Sequence, residues 1–224
     1  MLLTAARASI LIAVAAAVSG CGGGAMGPAP PIDKATYVPP QAELMAAGPL
    51  GKRVLGKAGA PVTVIEYVSL SCPHCANFQK HLFARMKKEF IDTGKVRYIV
   101  REFPIGHTAG AAAIVNACAP EDKYFFLLNQ FLTRQSEWVS QEVRPDAIYA
   151  VAKASGMSRE TFDKCLSNQT IISGLTEVKQ RGRQFGVIGT PTFFINGRKA
   201  QGEVTFEEIK SMIEQAPPPQ SSSS

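Results

Sequence analysis

The clearest pattern along the chain is a run of apolar, β-branched residues that leads directly into an amphipathic helix. Residues 62–68, with the sequence VTVIEYV, stand between Pro61 and Ser71 and predict a buried strand. Pro73 suits the first turn of a helix, after which apolar residues recur at spacings of three and four. These positions are Cys75, Phe78, Leu82, Met86 and Phe90. The pattern therefore predicts a helix with one face in a core.

A second strand follows this helix. Gly94 ends the helical region, and residues 96–103 are again rich in apolar and β-branched side chains. Because a strand, a helix and a strand follow one another, the sequence predicts a β-α-β unit with parallel strands.

The middle of the chain shows only helical periods. From about residue 107 to residue 185 no strand pattern interrupts them. Pro145 can start a helix that Gly156 stops, and Ser158 and Asn168 are suited to cap two more.

Strand signals return near the end of the chain. Residues 191–195 are mostly apolar, Asn196-Gly197 is a typical hairpin turn, and Phe206–Glu214 predicts a last helix. The sequence thus predicts an α/β fold, with a sheet domain interrupted by an inserted all-helical domain. The predicted boundaries are 1–20 for a signal peptide, 21–45 for a flexible tether, 46–104 and 187–216 for the two parts of the sheet domain, 105–186 for the insertion and 217–224 for a disordered tail.

The N-terminal residues predict export from the cytosol. Arg7 precedes an apolar run, residues 10–18, that is roughly half as long as a bilayer-spanning helix and is followed by small residues. Val18-Ser19-Gly20-Cys21 resembles a bacterial lipobox, which predicts that Cys21 is lipidated and anchors the chain to a membrane. Simple cleavage nearby is the alternative. Either process places the protein in the periplasm or cell envelope.

Composition adds two limits. The chain has five cysteines, so lipidation of Cys21 leaves four, which can form two pairs in an oxidising compartment. The formal net charge is +6, but the Lys and Arg residues are scattered among acids and no aromatic platform accompanies them. A nucleic-acid partner is therefore not expected.

The candidate chemistry lies at Cys72-Pro73-His74-Cys75, where the predicted strand ends and the predicted helix begins. At a helix N-terminus the unpaired backbone N–H groups and the positive end of the helix dipole stabilise a thiolate, so Cys72 is predicted to be the nucleophile. Cys75, one turn further on, is predicted to be a buried resolving thiol that can form a redox-active disulfide with Cys72. His74 can add positive charge or a hydrogen bond to the thiolate, which makes the disulfide more oxidising.

Two other interpretations of this motif are a metal site and a plain structural disulfide. A structural zinc site usually needs a second close pair of ligands, but Cys118 and Cys165 lie far apart on predicted helices. His81 and His107 offer no ligand spacing either. Redox chemistry is therefore favoured, and neither a metal nor a cofactor is predicted.

Two segments of the sequence resemble the DsbA-like thiol–disulfide oxidoreductases. Residues 64–75 resemble the active-site strand and motif of that family, and Gly189-Thr190-Pro191-Thr192 resembles its second signature. The resemblance runs from about residue 56 to residue 216. It implies a thioredoxin-like fold interrupted by the helical domain, with Cys72, Pro73, His74 and Cys75 as the catalytic motif.

This resemblance also implies roles for residues outside the CPHC motif. Pro191 would be a cis-proline, and the backbone of Thr190 would pair with an extended substrate. Glu66 would lie beneath the resolving cysteine as a proton acceptor, the alternative being a plain strand carboxylate. Cys118 and Cys165 would form a structural disulfide that clamps the insertion, the alternative being two separate buried thiols.

The sequence therefore predicts a thiol:disulfide oxidoreductase that introduces disulfide bonds into exported proteins. Its substrates would be unfolded or reduced cysteine-containing chains, and the resemblance implies re-oxidation by a quinone-linked membrane oxidase of the DsbB type. The alternatives are a disulfide isomerase or reductase of the same fold and, in another class, a CxxC metal-binding module.

Overall fold

A mixed β-sheet forms the centre of the fold. The computed structural model describes residues 39, 41–46, 48–51 and 53–216, so the predicted signal peptide, Cys21 and the predicted tail lie outside the described residues. The strands are β1 (Val54–Leu55), β2 (Val62–Val68), β3 (Val96–Glu102), β4 (Thr192–Ile195) and β5 (Arg198–Gln201). Their order across the sheet is β1-β3-β2-β4-β5. β2 is parallel to β3 and antiparallel to β4, so the predicted β-α-β unit is present.

Helices precede, follow and interrupt these strands. They are α1 (Gln41–Met45), α2 (Pro73–His81), α3 (Phe83–Met86), α4 (Gly106–Cys118), α5 (Glu121–Thr133), α6 (Gln135–Trp138), α7 (Pro145–Ala152), α8 (Arg159–Leu166), α9 (Gln169–Gln184) and α10 (Phe206–Glu214). Ser158 and Asn168 cap α8 and α9 with their side chains, as the sequence predicts. None of the helices that the structure describes has the length and apolar character needed to span a bilayer.

One hydrophobic core joins the sheet to the helical insertion. Val64 of β2 and Val100 of β3 belong to the same buried cluster as Phe131 of α5 and Ile148 of α7. Removing these side chains from water together is the main force that holds the insertion on the sheet. The α/β fold with a helical insertion, predicted from the sequence, is confirmed.

The predicted tether is wrong at its C-terminal end. Residues Gln41–Met45 form α1, and Leu44 is buried in a cluster with Ile65 and Phe185. The Arg101 side chain also donates a hydrogen bond to the Ala46 carbonyl at 3.2 Å. These partners come from distant parts of the chain, so the local Pro- and Gly-rich composition does not show them.

The helix after β2 is interrupted, whereas the apolar spacing predicts a continuous one. The backbone of Leu82 departs from regular helix (φ −115°, ψ −37°), and a π-helical turn over Lys87–Ile91 follows α3. The wider π turn brings both Phe90 and Ile91 into the core. The apolar positions are therefore correct as core residues, and packing decides where the helix breaks.

Candidate active site

Cys72 is held by a buried strand, a short turn and a proline. All seven residues of β2 are buried, and the chain leaves the strand through Ser69–Ser71. Cys72 is the N-cap of α2 with an extended backbone (φ −76°, ψ 124°), and Pro73 lies in the first helical turn. Pro73 favours a helix start at this point because its φ is fixed and it has no N–H to leave unpaired. The Cys72 sulfur therefore lies at the open N-terminus of α2.

The surroundings of Cys72 favour its thiolate. Its pKa is lowered to about 5, and the hydrogen bond from the Cys75 thiol is the largest cause. The side chain of Thr190 and the backbone N–H groups of Cys75 and His74 lower the pKa further, against burial, which raises it. The residue is only half-buried. Cys72 can thus carry a negative charge near neutral pH while its sulfur remains accessible.

Cys75 has the opposite environment. Its side chain is 0% exposed, and burial raises its pKa far above the ordinary range. The hydrogen bond to Cys72 and the charge of Glu66 raise the pKa further. Both cysteines are thiols in this structure. When the pair loses one proton, that proton therefore comes from Cys72, and the remaining proton stays on Cys75.

Glu66 is a buried carboxyl group next to this pair. It lies on β2, is 2% exposed, and has its pKa raised to about 7 by burial. The hydroxyl of Tyr98 donates a hydrogen bond to Oε2 of Glu66, which lowers the pKa somewhat, whereas Oε1 has no hydrogen-bond partner in the described chain. A carboxyl group with a pKa near neutrality can both accept and release a proton.

The second sequence motif lies against the first. The Thr190–Pro191 peptide bond is cis, and the Thr190 carbonyl accepts a hydrogen bond from the Cys72 thiol at 3.1 Å. The Thr190 hydroxyl is buried and forms no hydrogen bond with another described residue. It is therefore free to turn and donate to the sulfur when Cys72 is a thiolate, which accounts for its lowering effect on the Cys72 pKa. Antiparallel pairing of β4 with β2 brings the two motifs together.

The ring of His74 lies against a carboxylate, and the hydrogen bond that His74 gives to the Cys72 sulfur comes from its backbone. The side chain is 54% exposed, and Nδ1 lies 3.2 Å from Oε1 of Glu203, after β5. His74 acts on Cys72 through its backbone N–H, which any residue at this position of the helix would supply. Sequence reasoning missed Glu203 because nothing in the local pattern links it to the CPHC motif.

Two further residues that sequence reasoning missed hold the active-site turn. Gln135, at the start of α6, donates from Nε2 to the carbonyls of Leu70 at 2.7 Å and Cys72 at 2.9 Å. The Ser69 hydroxyl accepts a hydrogen bond from the backbone N–H of Ile105 at 3.2 Å. Gln135 thus links the turn to the helical insertion, and Ile105 links it to the segment between β3 and α4. A lone glutamine on a helix carries no sequence signal for such a contact.

The other cysteines of the described chain form a disulfide. Cys118 ends α4 and Cys165 lies in the last turn of α8, with 5.9 Å between their Cα atoms. The bond therefore links two helices of the insertion. As for metals, the described part of the chain contains no group of three or more His, Cys, Asp or Glu side chains placed to hold an ion.

Relatives with curated names resemble most of the folded chain. Residues 50–215 match the family model described as Thioredoxin. A Rickettsia conorii protein named as a protein-disulfide oxidoreductase is 34% identical over 73% of this chain, and the chain spans 59% of that relative's length. Disulfide bond formation protein D of Bacillus subtilis is 27% identical, covering 73% of this chain and 76% of that protein.

A solved structure agrees with the fold and with the sequence matches. The alpha-DsbA1 protein of Wolbachia pipientis superposes with a TM-score of 0.71 at 26% identity, covering 79% of this chain and 95% of that one. The agreement includes both the sheet and the helical insertion, since so much of each chain is matched. This chain therefore belongs to the thioredoxin family, as a DsbA-like member.

Proposed function

We propose that this protein introduces disulfide bonds into exported proteins by thiol–disulfide exchange through Cys72 and Cys75. The observation that supports this best is the asymmetry of the pair. The accessible sulfur of Cys72 has a pKa lowered to about 5, while burial holds the proton on Cys75. Stabilising one thiolate favours the reduced form, so the disulfide tends to pass its oxidation to other thiols.

The exchange proceeds in two steps from a Cys72–Cys75 disulfide. A substrate thiolate attacks the Cys72 sulfur, the S–S bond breaks, and Cys75 leaves as a thiolate and takes up a proton. A second substrate thiolate then attacks the substrate sulfur of the mixed disulfide and expels Cys72 as a thiolate. Two substrate thiols are oxidised to one disulfide, and the enzyme disulfide is reduced to two thiols. Glu66 is our candidate for the group that exchanges the proton with Cys75.

The backbone at Thr190 is our candidate for substrate binding. Its carbonyl lies beside the reactive sulfur, where an extended substrate segment can pair with it as an added strand. Such pairing recognises backbone and not sequence, which suits an enzyme that acts on unfolded or reduced cysteine-containing chains.

Export and re-oxidation complete the proposal. Residues 1–20 would direct the chain out of the cytosol, and lipid on Cys21 would hold it at a membrane in the periplasm or cell envelope. A quinone-linked membrane oxidase of the DsbB type would accept the two electrons of the reduced pair. Deletion of residues 1–20, followed by cell fractionation, tests export. Mass spectrometry of Cys21 in the full-length protein purified from membranes tests lipidation.

The central test is a trapping experiment. In a Cys75→Ala variant, Cys72 can still attack a client disulfide and form a mixed disulfide, but no Cys75 thiolate is present to release the client. This variant should therefore accumulate client proteins bound through Cys72. A Cys72→Ala variant is the matched control and should trap almost none. Equal trapping by both variants would show that Cys72 is not the nucleophile.

Two measurements separate this proposal from its alternatives. Equilibration with glutathione should give a reduction potential nearer to that of DsbA, about −120 mV, than to that of thioredoxin, about −270 mV. A value near thioredoxin would favour a reductase or isomerase. Stoichiometric metal that blocks titration of both thiols, in protein purified without a chelator, would favour a metal-binding module.

A further inference from the structure

A groove lies between the start of the insertion and the segment that precedes Thr190. Its cavity has a volume of about 380 Å³ and is lined by Phe103, Ile105, Gly106, Lys179, Arg183, Val187 and Ile188. One wall is tied to the active-site turn, because the Ile105 carbonyl accepts a hydrogen bond from the Ser71 hydroxyl at 3.5 Å. The other wall includes Ile188, two residues before Thr190. Each wall of the groove is therefore linked to a segment that flanks Cys72, one through a hydrogen bond and the other through the chain.

The walls of this groove expose large aliphatic side chains. Ile188 is 78% exposed and Ile105 is 49% exposed. Exposed apolar groups that border a reactive site favour contact with a partner, because covering them removes apolar surface from water.

The groove also holds two cations that repel each other. Lys179 and Arg183 are separated by one turn of α9 and so lie on the same face. The pKa of Lys179 is lowered by burial and by the neighbouring charge of Arg183. Lys179 donates a hydrogen bond to the Pro104 carbonyl, but neither cation forms an ion pair with a carboxylate of the described chain. The like charges oppose each other at this spacing, while the C-terminal end of α9 and the Phe103 ring, 5.6 Å from Lys179, favour them. None of these contacts supplies a carboxylate.

Basic and acidic side chains line different cavities of the described chain. A second cavity of about 440 Å³ continues past Lys179, and no Asp or Glu is among the described residues that line it or the groove. A third cavity, next to His74, is lined by Glu203, Glu207 and Glu208. Lys179 and Arg183 therefore lie in the groove that contains Ile105 and Ile188, where no described lining residue carries a negative charge.

We propose that this groove binds the substrate segment next to the reacting cysteine, and that Lys179 and Arg183 select segments with a carboxylate about two to four residues from that cysteine. The proposal rests on the proposed function. An extended segment paired with the backbone of Thr190 passes Ile188 and reaches the cations. Its carboxylate supplies the counter-charge that the described lining of the groove does not.

The test uses the oxidised protein and dithiol peptides that differ at one position near the first cysteine. That position carries Asp, Asn or Lys and is moved from two to four residues away on either side. At one or more of these positions, kcat/KM for the Asp peptide should exceed that for the Asn peptide by about three- to tenfold, and the Lys peptide should be slower than both. The preference should shrink as salt is added.

Two variants on α9 locate the effect. Arg183→Gln should lower the Asp-to-Asn ratio by about twofold or more. Arg181→Gln removes the same charge from the same helix, but its side chain bonds the Glu43 carbonyl and does not line the groove. This control should keep the ratio of the unaltered protein.

The outcomes separate the subsite from the proposed function. Equal oxidation of the Asp and Asn peptides at every position would overturn the subsite and leave the oxidase proposal standing. An equal loss of preference in Arg181→Gln and Arg183→Gln would assign the preference to net charge and also overturn the subsite. If the protein oxidises no peptide, the proposed function fails and the subsite fails with it.

Discussion

In both cysteine pairs of the described chain, one member is half-buried and its partner is buried. Cys72 lies at the N-terminus of α2, whereas Cys118 is the last residue of α4 and Cys165 lies in the last turn of α8. A helix N-terminus stabilises negative charge, and a helix C-terminus, with its free carbonyls, opposes it. Burial is therefore shared by the two pairs, and position on the helix is what distinguishes them.

Helix position has a consequence for redox behaviour. A cysteine pair whose thiolate is stabilised has a favoured reduced form, so its disulfide is a strong oxidant. Thiols at helix C-termini gain no such stabilisation, and their disulfide should resist reduction. The same bond type would thus serve exchange at Cys72–Cys75 and crosslinking at Cys118–Cys165.

The largest expected difference between the two cysteine pairs is in the rate of peptide oxidation. Cys72→Ser should reduce oxidation of a dithiol peptide to the rate without enzyme, because no Cys72–Cys75 disulfide can form for the substrate thiolate to attack. The double variant Cys118→Ser/Cys165→Ser should retain the rate of the unaltered protein within about threefold, since its effect on the site is indirect. If both variants lost exchange activity to the same extent, the Cys118–Cys165 pair would not be purely structural, and the distinction between the two pairs would be wrong.

Stability should show the reverse order. The Cys118–Cys165 bond closes a loop across a sequence separation of 47 residues. Losing this constraint on the unfolded chain should lower the free energy of unfolding by about 2–4 kcal/mol in the double serine variant. Denaturant unfolding of both proteins, with Cys72 and Cys75 kept reduced, measures the difference. A change below about 0.5 kcal/mol would show that the bond does not clamp the insertion.

Local patterns predict those parts of the fold that are decided locally. β2 and α10 follow from a short apolar run and from a helical period, and α10 begins with a Thr205–Glu208 capping box. The break at Leu82 and the helix α1 depend on packing partners far away in the sequence. Periodicity therefore locates the buried positions and does not reveal where tertiary packing bends the backbone.

The same division holds in the candidate site. The positions of Cys72 and Cys75 at a strand-to-helix junction follow from the sequence alone. Tyr98, Gln135 and Glu203 reach the site from a neighbouring strand, from the insertion and from the end of the sheet. Their roles depend on distances across the fold, which a single sequence does not encode in any local motif.

A titration of Cys72 sharpens the comparison of helix ends. The thiolate absorbance in the ultraviolet should rise with a midpoint near pH 5 in reduced protein and should be absent in Cys72→Ser. Because the pKa of Cys72 is lowered by folding, the reduced protein should gain stability relative to the oxidised one between about pH 5 and pH 9. That gain should disappear as the pH falls through about 5. A midpoint near 8.5, the value of an ordinary thiol, would show that neither the hydrogen bond from Cys75 nor the backbone N–H groups of the helix N-terminus stabilise the thiolate.

The smallest expected effect concerns the proton of Cys75. If Glu66 accepts this proton, release of a preformed mixed disulfide by Cys75 should accelerate through about pH 7, where the carboxyl group ionises. Glu66→Gln should remove this inflection and slow release above pH 7 by about tenfold, less than for a dedicated general base because water can also take the proton.

Tyr98→Phe is the matched variant for this test, because it keeps the carboxyl group and removes one hydrogen bond. The bond from Tyr98 lowers the pKa of Glu66, so its loss should move the inflection to higher pH without abolishing it. Rapid-quench measurement of peptide release across pH separates the two variants. A carboxyl group that only fills space in β2 would leave the same pH profile in the unaltered protein and in Glu66→Gln, and Cys75 would then lose its proton without help from the sheet.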